Sequence, residues 1–332
     1  MKPSVCSIVL AYGSRDDVAR ALDSLLKANQ HGHVLLIQNG LSDSDTQQLA
    51  QLFPTVQVVY NSLNRGAAGG RNLAFRTAQA WNDDYYFFLD RDAYIQDDAI
   101  DQLIQTAESH PDAGFVSCLV LSAENHTKIH SAGGSFHPRT LSEVHYRDHL
   151  SQPVMPVDFV ITTAALVKAQ VLKHVGFFDE RYFAYYEDLD WAFRSREQGY
   201  RHYIVASALA FHNEERSRFH PLVVYYMSRN RLLFYKTHHW IRGIFDMRVW
   251  RLFVKQLIVL LHRILVLSPL ALTCLGAYLN GFYDFAIGRW GPGPKWINQP
   301  SDAYFESRMR AWILAHPLYA KIRRLKKHFL YS

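Results

Sequence analysis

The sequence predicts an α/β fold, with a mostly parallel sheet covered by helices on both faces and a helical C-terminal extension. Three observations predict it. Short apolar runs alternate with amphipathic stretches of helical period through the first half of the chain. Clusters of glycine, carboxylate and amide residues follow the ends of those runs, where sheets of this kind bind ligands. After His220 the composition turns Tyr-, Arg- and Leu-rich, with an apolar stretch from Leu257 to Leu279.

Taken in order, Val5–Ala11 reads as a buried first strand. Asp16–Ala28 reads as a helix with Val18, Ala21, Leu22 and Leu25 on one face. His33–Gln38 is a second strand, Thr46–Phe53 a short helix and Val56–Asn61 a third strand. A glycine-rich turn then leads into a helix over Arg71–Trp81, and Tyr85–Leu89 makes a fourth strand. Strands separated by crossover helices imply parallel pairing. Residues 114–165 read as further strands around a polar, His-rich insertion at His126–His149. The alternation resumes through Val171–Gly176 and a helix over Leu189–Gln198.

Of the 332 residues, 49% are hydrophobic and 20% charged, which excludes a disordered chain. The net charge of +6 points to an anionic partner such as a nucleotide, a phospholipid surface or a pyrophosphate-linked acceptor. The basic residues form no long interleaved stripe, which argues against nucleic acid. Cys6, Cys118 and Cys274 lie far apart with no CxxC pair, which fits a reducing compartment. The run Ser4–Leu10 is too short for a secretory core, so the cytoplasmic side is expected.

Three clusters carry chemistry. In Asn64-Arg65-Gly66-Ala67-Ala68-Gly69-Gly70-Arg71-Asn72, small residues admit a ligand close to the backbone, and the following helix start offers N–H groups to phosphate. Arg71 adds a forked cation suited to pyrophosphate. A tight turn serving helix packing accounts for the same residues, and both readings stand. In Leu89-Asp90-Arg91-Asp92, two carboxylates just past an apolar strand can reach one hard divalent cation; an ordinary Asp-rich strand-to-loop turn accounts for them too, and their place at a strand end shortly after the glycine turn favours the metal. In Tyr182-Phe183-Ala184-Tyr185-Tyr186-Glu187-Asp188-Leu189-Asp190-Trp191, three carboxylates lie within four residues at a helix start. First-turn acids suit the helix dipole in any case. The flanking aromatics would also shield a carboxylate and raise its basicity, which describes a general base beside a sugar-stacking platform.

These clusters resemble, in order, the motifs of family 2 of the nucleotide-sugar glycosyltransferases. The set comprises the Ser7-Ile8-Val9 strand, Asn39-Gly40-Leu41-Ser42-Asp43, Asn64–Asn72, Asp90-x-Asp92, Gly176-Phe177-Phe178-Asp179-Glu180, Glu187-Asp188-x-Asp190 and His212. Within the family the chain looks most like the bacterial rhamnosyltransferases of cell-envelope polysaccharide synthesis, over residues 4 to 235. The resemblance implies a GT-A fold, with a Rossmann-like, mostly parallel mixed sheet and flanking helices. It implies a catalytic domain over residues 1–235, divided into a nucleotide-sugar half (1–112) and an acceptor half (113–235), before a helical, basic region at 236–332. It implies Mg²⁺ or Mn²⁺ on Asp90, Asp92 and His212, with Asp92 the direct contact, and Asp188 as catalytic base. Ala11, Tyr12, Asn39, Asn64, Gly69, Arg71, Asp90 and Arg91 would hold the nucleotide-diphosphate sugar, with dTDP-rhamnose the expected donor. Tyr186, Glu187, Asp190 and Trp191 would meet a saccharide or polyprenyl-pyrophosphate-linked acceptor. The chain departs from the family at Gln38, where an aspartate is common, at Gly13, where an asparagine is common, and at Arg91. Arg91 either pairs with nucleotide phosphates or points away.

The implied reaction inverts the anomeric centre with one base, because the leaving group is a nucleoside diphosphate. A glycoside hydrolase, by contrast, needs a second carboxylic acid. Two rival classes are a nucleotidyltransferase, which gives no reason for the aromatic-flanked carboxylates, and a carbohydrate-binding scaffold without activity, which has no need of the paired aspartates. His262, Arg263 and Pro269 interrupt the Leu257–Leu279 stretch, so a pair of buried or interfacial helices is expected rather than a membrane span. Arg242, Arg248, Arg251, Lys255 and Arg263, with the terminal run Lys321–Lys327, would suit an anionic leaflet at the inner face of the cell membrane.

Overall fold

The computed structural model describes residues 3–28, 32–61, 63–148, 150–213, 219–265 and 270–298. The elements are β1 (Val5–Ala11), α1 (Arg15–Ala28), β2 (His33–Gln38), α2 (Asp43–Leu52), β3 (Gln57–Val59), α3 (Gly66–Ala78), β4 (Tyr85–Leu89) and β5 (Ala93–Ile95). They continue with α4 (Ala99–Ser109), β6 (Ala113–Ser122), β7 (Ile129–Ser131), β8 (Gly134–His137), β9 (Ser142–His145), β10 (Val154–Val157) and β11 (Ala164–Lys168). The chain then forms α5 (Ala169–Val175), α6 (Glu187–Glu197), β12 (Arg201–His212), α7 (Pro221–Thr237), α8 (Met247–Leu265), α9 (Ala271–Ile287) and α10 (Lys295–Asn298).

One sheet runs in the order β10-β12-β6-β11-β4-β1-β2-β3, with β5 added on β12 and β7 on β6. β3, β2, β1 and β4 are parallel neighbours, and β6 and β12 form a parallel pair. β11 sits antiparallel between β4 and β6 and so joins the two parallel sets into one surface. Both faces are covered, as the apolar strands require. Along β1, Val5 and Val9 pack toward α1, while Cys6 and Ile8 pack on the opposite side with Phe75 of α3. In α1 the predicted face Val18, Ala21, Leu22 and Leu25 is fully buried.

Several boundaries move, each for a local reason. α2 begins at Asp43 rather than Thr46, because Ser42 caps it by accepting the Asp45 N–H at 3.1 Å. α3 begins at Gly66, so the glycine-rich segment is the helix's own first turn. The His-rich insertion folds as β7 and the β8–β9 hairpin. α5 ends at Gly176, whose φ of 89° suits glycine. The apolar stretch 257–279 is shared between α8 and α9, with residues 266–269 outside the described set. No described helix is long and apolar enough to cross a membrane. The basic run 321–327 also lies outside the described residues. α7 runs through residue 235 and packs on α9, so the C-terminal helical layer begins at Pro221.

Candidate active site

The carboxyl ends of β1, β4 and β12 and the start of α6 surround a cavity of about 570 Å³. Sheet topology brings its distant residues together. β4 delivers Asp90, and the turn after it reverses into β5, which pairs antiparallel with the end of β12 so that Ala93 faces His212. The Asn213 N–H closes this corner on the Asp92 carbonyl at 3.0 Å. His212 Nε2 then stands 3.2 Å from Asp92 Oδ1.

Asp90, Asp92 and His212 each place one ligand atom within 4.8 Å of the others, and all three are partly buried. Two carboxylate oxygens and an imidazole nitrogen are a donor set that suits Mg²⁺ or Mn²⁺. A second observation fits the same group: among the described residues, the buried His212 Nδ1 has no hydrogen-bond partner. Burial opposes charge on both members of the Asp92–His212 pair. Their mutual hydrogen bond nonetheless holds Asp92 below the usual carboxylate range and raises His212. Asp90 is fixed by Thr163, whose hydroxyl donates to Oδ2 at 2.8 Å and whose carbonyl accepts the Asp90 N–H at 2.9 Å.

Arg71 joins this group to the second carboxylate cluster. Its guanidinium donates to Glu187 Oε1 at 2.8 Å and reaches Asp90 Oδ1 at 3.4 Å, with its centre 5.6 Å from the ring centroids of both Phe88 and Phe178. The cation expected on pyrophosphate is therefore committed to organising carboxylates, although it still borders the cavity. Because both partners are buried, loss of one leaves the other's charge uncompensated. Arg71→Met is expected to cost about 3–5 kcal/mol of folding stability, read from urea unfolding. A change within about 0.5 kcal/mol, the scale of a surface substitution, would show that the pair contributes little.

Next to Glu187, Asp188 borders the cavity and is held by backbone N–H groups of Leu189 at 2.9 Å and Thr162 at 3.4 Å. Burial, reinforced by the neighbouring Glu187, pushes the Asp188 carboxyl up to about 7. Burial raises Glu187 as well, in spite of Arg71. A carboxylate that gains a proton near neutrality, facing a cavity, has the properties of a general base.

The remaining expected residues divide into two groups. Tyr12, Asn39, Asn64 and Arg91 line the cavity with those above. Ala11 and Gly69 do not; Ala11 is fully buried, and Gly69 packs inside α3 against Arg65. The glycine-rich turn also makes contacts within the protein. The N–H groups of Arg65, Gly66 and Ala68 are taken by Asn39 Oδ1, Asn64 Oδ1 and the Phe183 carbonyl. Gly66 is required by close packing, since a Cβ there would stand 2.1 Å from the Phe183 carbonyl oxygen, and its φ is 69°.

Three expected acceptor contacts are absent from the cavity wall. Trp191 is fully buried, donates to the Gly176 carbonyl at 2.8 Å and packs on Phe115, because its face of α6 turns toward the sheet. Asp190 is fully buried with Arg194, His238 and Tyr182; burial raises its carboxyl, but His238 and Arg194 hold it low. The Tyr186 hydroxyl donates to Glu143 and accepts from Arg231 Nε, away from the cavity. The aromatic wall is instead Phe183, Tyr185 and Tyr226.

Two of the departures from the family pattern, Gly13 and Arg91, are spatially related. Gly13 leaves room for Arg91, since a Cβ there would meet Arg91 Cζ at 2.9 Å. Arg91 lies over the Tyr12 ring and reaches Asp17 at 3.6 Å and Asp92 at 3.4 Å. The Gln38 side chain is buried and spent on the Leu41 carbonyl, Asp43 and the Asn61 N–H.

Sequence reasoning missed Arg229 and Asn230, both fully buried in α7. Asn230 Nδ2 donates to the carbonyls of Tyr182, Ala184 and Tyr185, and Arg229 donates to those of Arg181 and Tyr182. The loop they grip carries Phe183, Tyr185 and Tyr186 at φ of 63°, 65° and 76° and leads directly into Glu187. Such backbone costs about 1–3 kcal/mol per residue and persists only where the surroundings impose it. The signal in the sequence was the polar run Ser228-Arg229-Asn230-Arg231 between the apolar stretches Leu222–Met227 and Leu232–Tyr235 of one helix.

A cavity at strand ends, lined by an Asp-Asp-His group that could hold a metal ion and by a buried carboxyl pushed up to about 7, suits a nucleotide-sugar transferase of the GT-A type. Comparisons with known proteins agree. The model of glycosyl transferase family 2 matches residues 6–176, and the chain belongs to that family. An N-acetylglucosaminyl-diphospho-decaprenol L-rhamnosyltransferase of Mycobacterium tuberculosis is 27% identical over 233 residues, covering 63% of this chain and 76% of the relative. The fold is similar to that of a mannosyltransferase from Pyrobaculum calidifontis solved with GDP-Man and Mn²⁺, with a TM-score of 0.53, 16% identity and coverage of 100% and 89% of the two chains. It is also similar to GalNAc-T7 solved with UDP, GalNAc and Mn²⁺, with a TM-score of 0.52 and 11% identity. That match covers 71% of this chain and spans half of the other.

Proposed function

We propose that this glycosyltransferase moves rhamnose from dTDP-rhamnose, with inversion, onto a saccharide carried by a polyprenyl-pyrophosphate lipid, at the inner face of the cell membrane. The observation that carries the reaction type is the shared cavity of Asp188 and the Asp90, Asp92 and His212 triad. The choice of rhamnose and of a lipid-linked acceptor is supported by the relative from Mycobacterium tuberculosis.

In this reading the acceptor hydroxyl lies against Asp188, which takes its proton as the oxygen attacks the anomeric carbon. The attack comes from the face opposite the nucleoside diphosphate, so configuration inverts without a covalent enzyme intermediate. A divalent cation on Asp90, Asp92 and His212 would supply charge stabilisation to the departing diphosphate. Tyr12, Asn39 and Asn64 line the donor side, and Phe183, Tyr185 and Tyr226 offer faces for sugar rings.

The test is product analysis with a panel of nucleotide sugars and a lipid-linked saccharide. The expected result is rhamnosylated lipid with inverted configuration and release of dTDP. Release of pyrophosphate would identify a nucleotidyltransferase and overturn the reading. Transfer of another hexose or of galactofuranose would correct the donor alone.

A further inference from the structure

α8 and α9 carry a surface that the transfer reaction does not use. Along α8, Met247, Trp250, Val254, Ile258 and Leu261 recur at helical spacing, and every one is exposed, Met247 at 79% and Ile258 at 60%. The opposite face is satisfied: Val249 and Leu260 are fully buried, and Phe253 stacks on Tyr278 and packs at a tilt on Phe282 of α9. One position further round α8, Arg248, Arg251, Lys255 and His262 form a parallel basic row, also exposed. Phe245, just ahead of the helix, is 92% exposed, and α9 adds exposed Leu272, Leu279, Tyr283 and Ile287.

Charge selects the occupant. Residues 238–298 contain seven Lys and Arg but only two acids. Neither acid is available to Arg251 and Lys255 of the row: Asp246 is held by Arg248 in three hydrogen bonds, and Asp284 is buried against Tyr225 and Arg289. An aromatic at one end, an aliphatic ridge and a flanking basic row over 19 residues, about 28 Å of helix, describe an element lying in the plane of a bilayer interface.

We infer that the exposed face of α8 docks on an anionic phospholipid bilayer, with its apolar ridge seated among the acyl chains and its basic row on the headgroups. Its use rests on the lipid-linked acceptor proposed above. α9 packs on α7, and α7 contributes Leu222 and Tyr226 to the cavity wall, so a docked helix layer borders the acceptor side.

The test is flotation of the full chain with vesicles rich in phosphatidylglycerol or made of phosphatidylcholine alone. Binding is expected to the former, weakening as salt rises. Arg251→Glu with Lys255→Glu should weaken it by at least about 30-fold, and Val254→Asp with Ile258→Asp should abolish it. Both pairs lie on the exposed face, and unchanged circular dichroism and unchanged turnover on a short water-soluble saccharide would show that each variant is folded. Turnover on acceptor embedded in vesicles should fall with binding. Absence of binding by the unmodified chain, equal binding to both vesicle types, or self-association in place of vesicle binding would overturn the inference. Vesicle binding without any sugar transfer would leave it standing and sink the functional reading instead.

Discussion

Asp188→Asn is expected to lower kcat for sugar transfer by about 10²-fold or more, with little change in donor affinity. The amide keeps the shape of the carboxyl, and its one oxygen can still accept from Leu189 or from Thr162, but it cannot accept the acceptor's proton. Donor affinity should survive because the proposed mechanism sets Asp188 against the acceptor hydroxyl and leaves the donor to Tyr12, Asn39, Asn64 and the cation. The pH profile provides an independent check. A base must be unprotonated to act, and burial beside Glu187 raises Asp188 to about 7. The unmodified enzyme should therefore lose kcat as pH falls through the neutral region, with one proton taken up. Asp188→Asn should lack that limb. Glu187 and Asp190 are the competing candidates, yet both are occupied, Glu187 by Arg71 and Asp190 by Arg194 and His238. Near-normal turnover in Asp188→Asn, with loss in Glu187→Gln or Asp190→Asn, would move the base and keep the reaction class.

The contrast among those three acids shows what the sequence could and could not disclose. The strands were legible because β1, β2 and β4 are buried on both faces and so read as unbroken apolar runs bounded by polar turns. The paired aspartates were legible because their strand end is. Facing is harder. Glu187, Asp188, Asp190 and Trp191 lie within five residues, and a helix points them in different directions. Which one meets the cavity depends on how the preceding loop enters α6, and that entry is set by the grip of Arg229 and Asn230 from a helix more than 40 residues away. Arg71 shows the same limit, since nothing in its own segment signals that Glu187 and Asp90 lie within 3.4 Å of its guanidinium. Spacing reports which residues share an element, whereas charge pairing across elements appears only once the chain has folded.

Asp92→Ala, or excess chelator, is expected to abolish transfer, and Mg²⁺ or Mn²⁺ to restore it only in the unmodified chain. Asp92 is positioned for this role from three sides: His212 at 3.2 Å, Arg91 at 3.4 Å, and its own carbonyl pinned by the Asn213 N–H at 3.0 Å. Removing its carboxylate leaves Asp90 and His212 without the member that joins them, and two neutralising oxygens are lost from a site beside cationic Arg91 and Arg71. The loss should also appear without turnover. Mn²⁺ titrated into the unmodified protein should bind at one site by paramagnetic resonance, and Asp92→Ala and His212→Ala should each weaken that binding by at least about tenfold, the lower end of what loss of even a supporting residue costs a metal site. The fold should tolerate both changes, because neither side chain belongs to the apolar clusters on the two faces of the sheet. Full transfer in excess chelator would reject a metal role for the triad. Asp92 would then remain as a hydrogen-bond partner of His212, and charge stabilisation of the departing diphosphate would have to come from the arginines of the cavity.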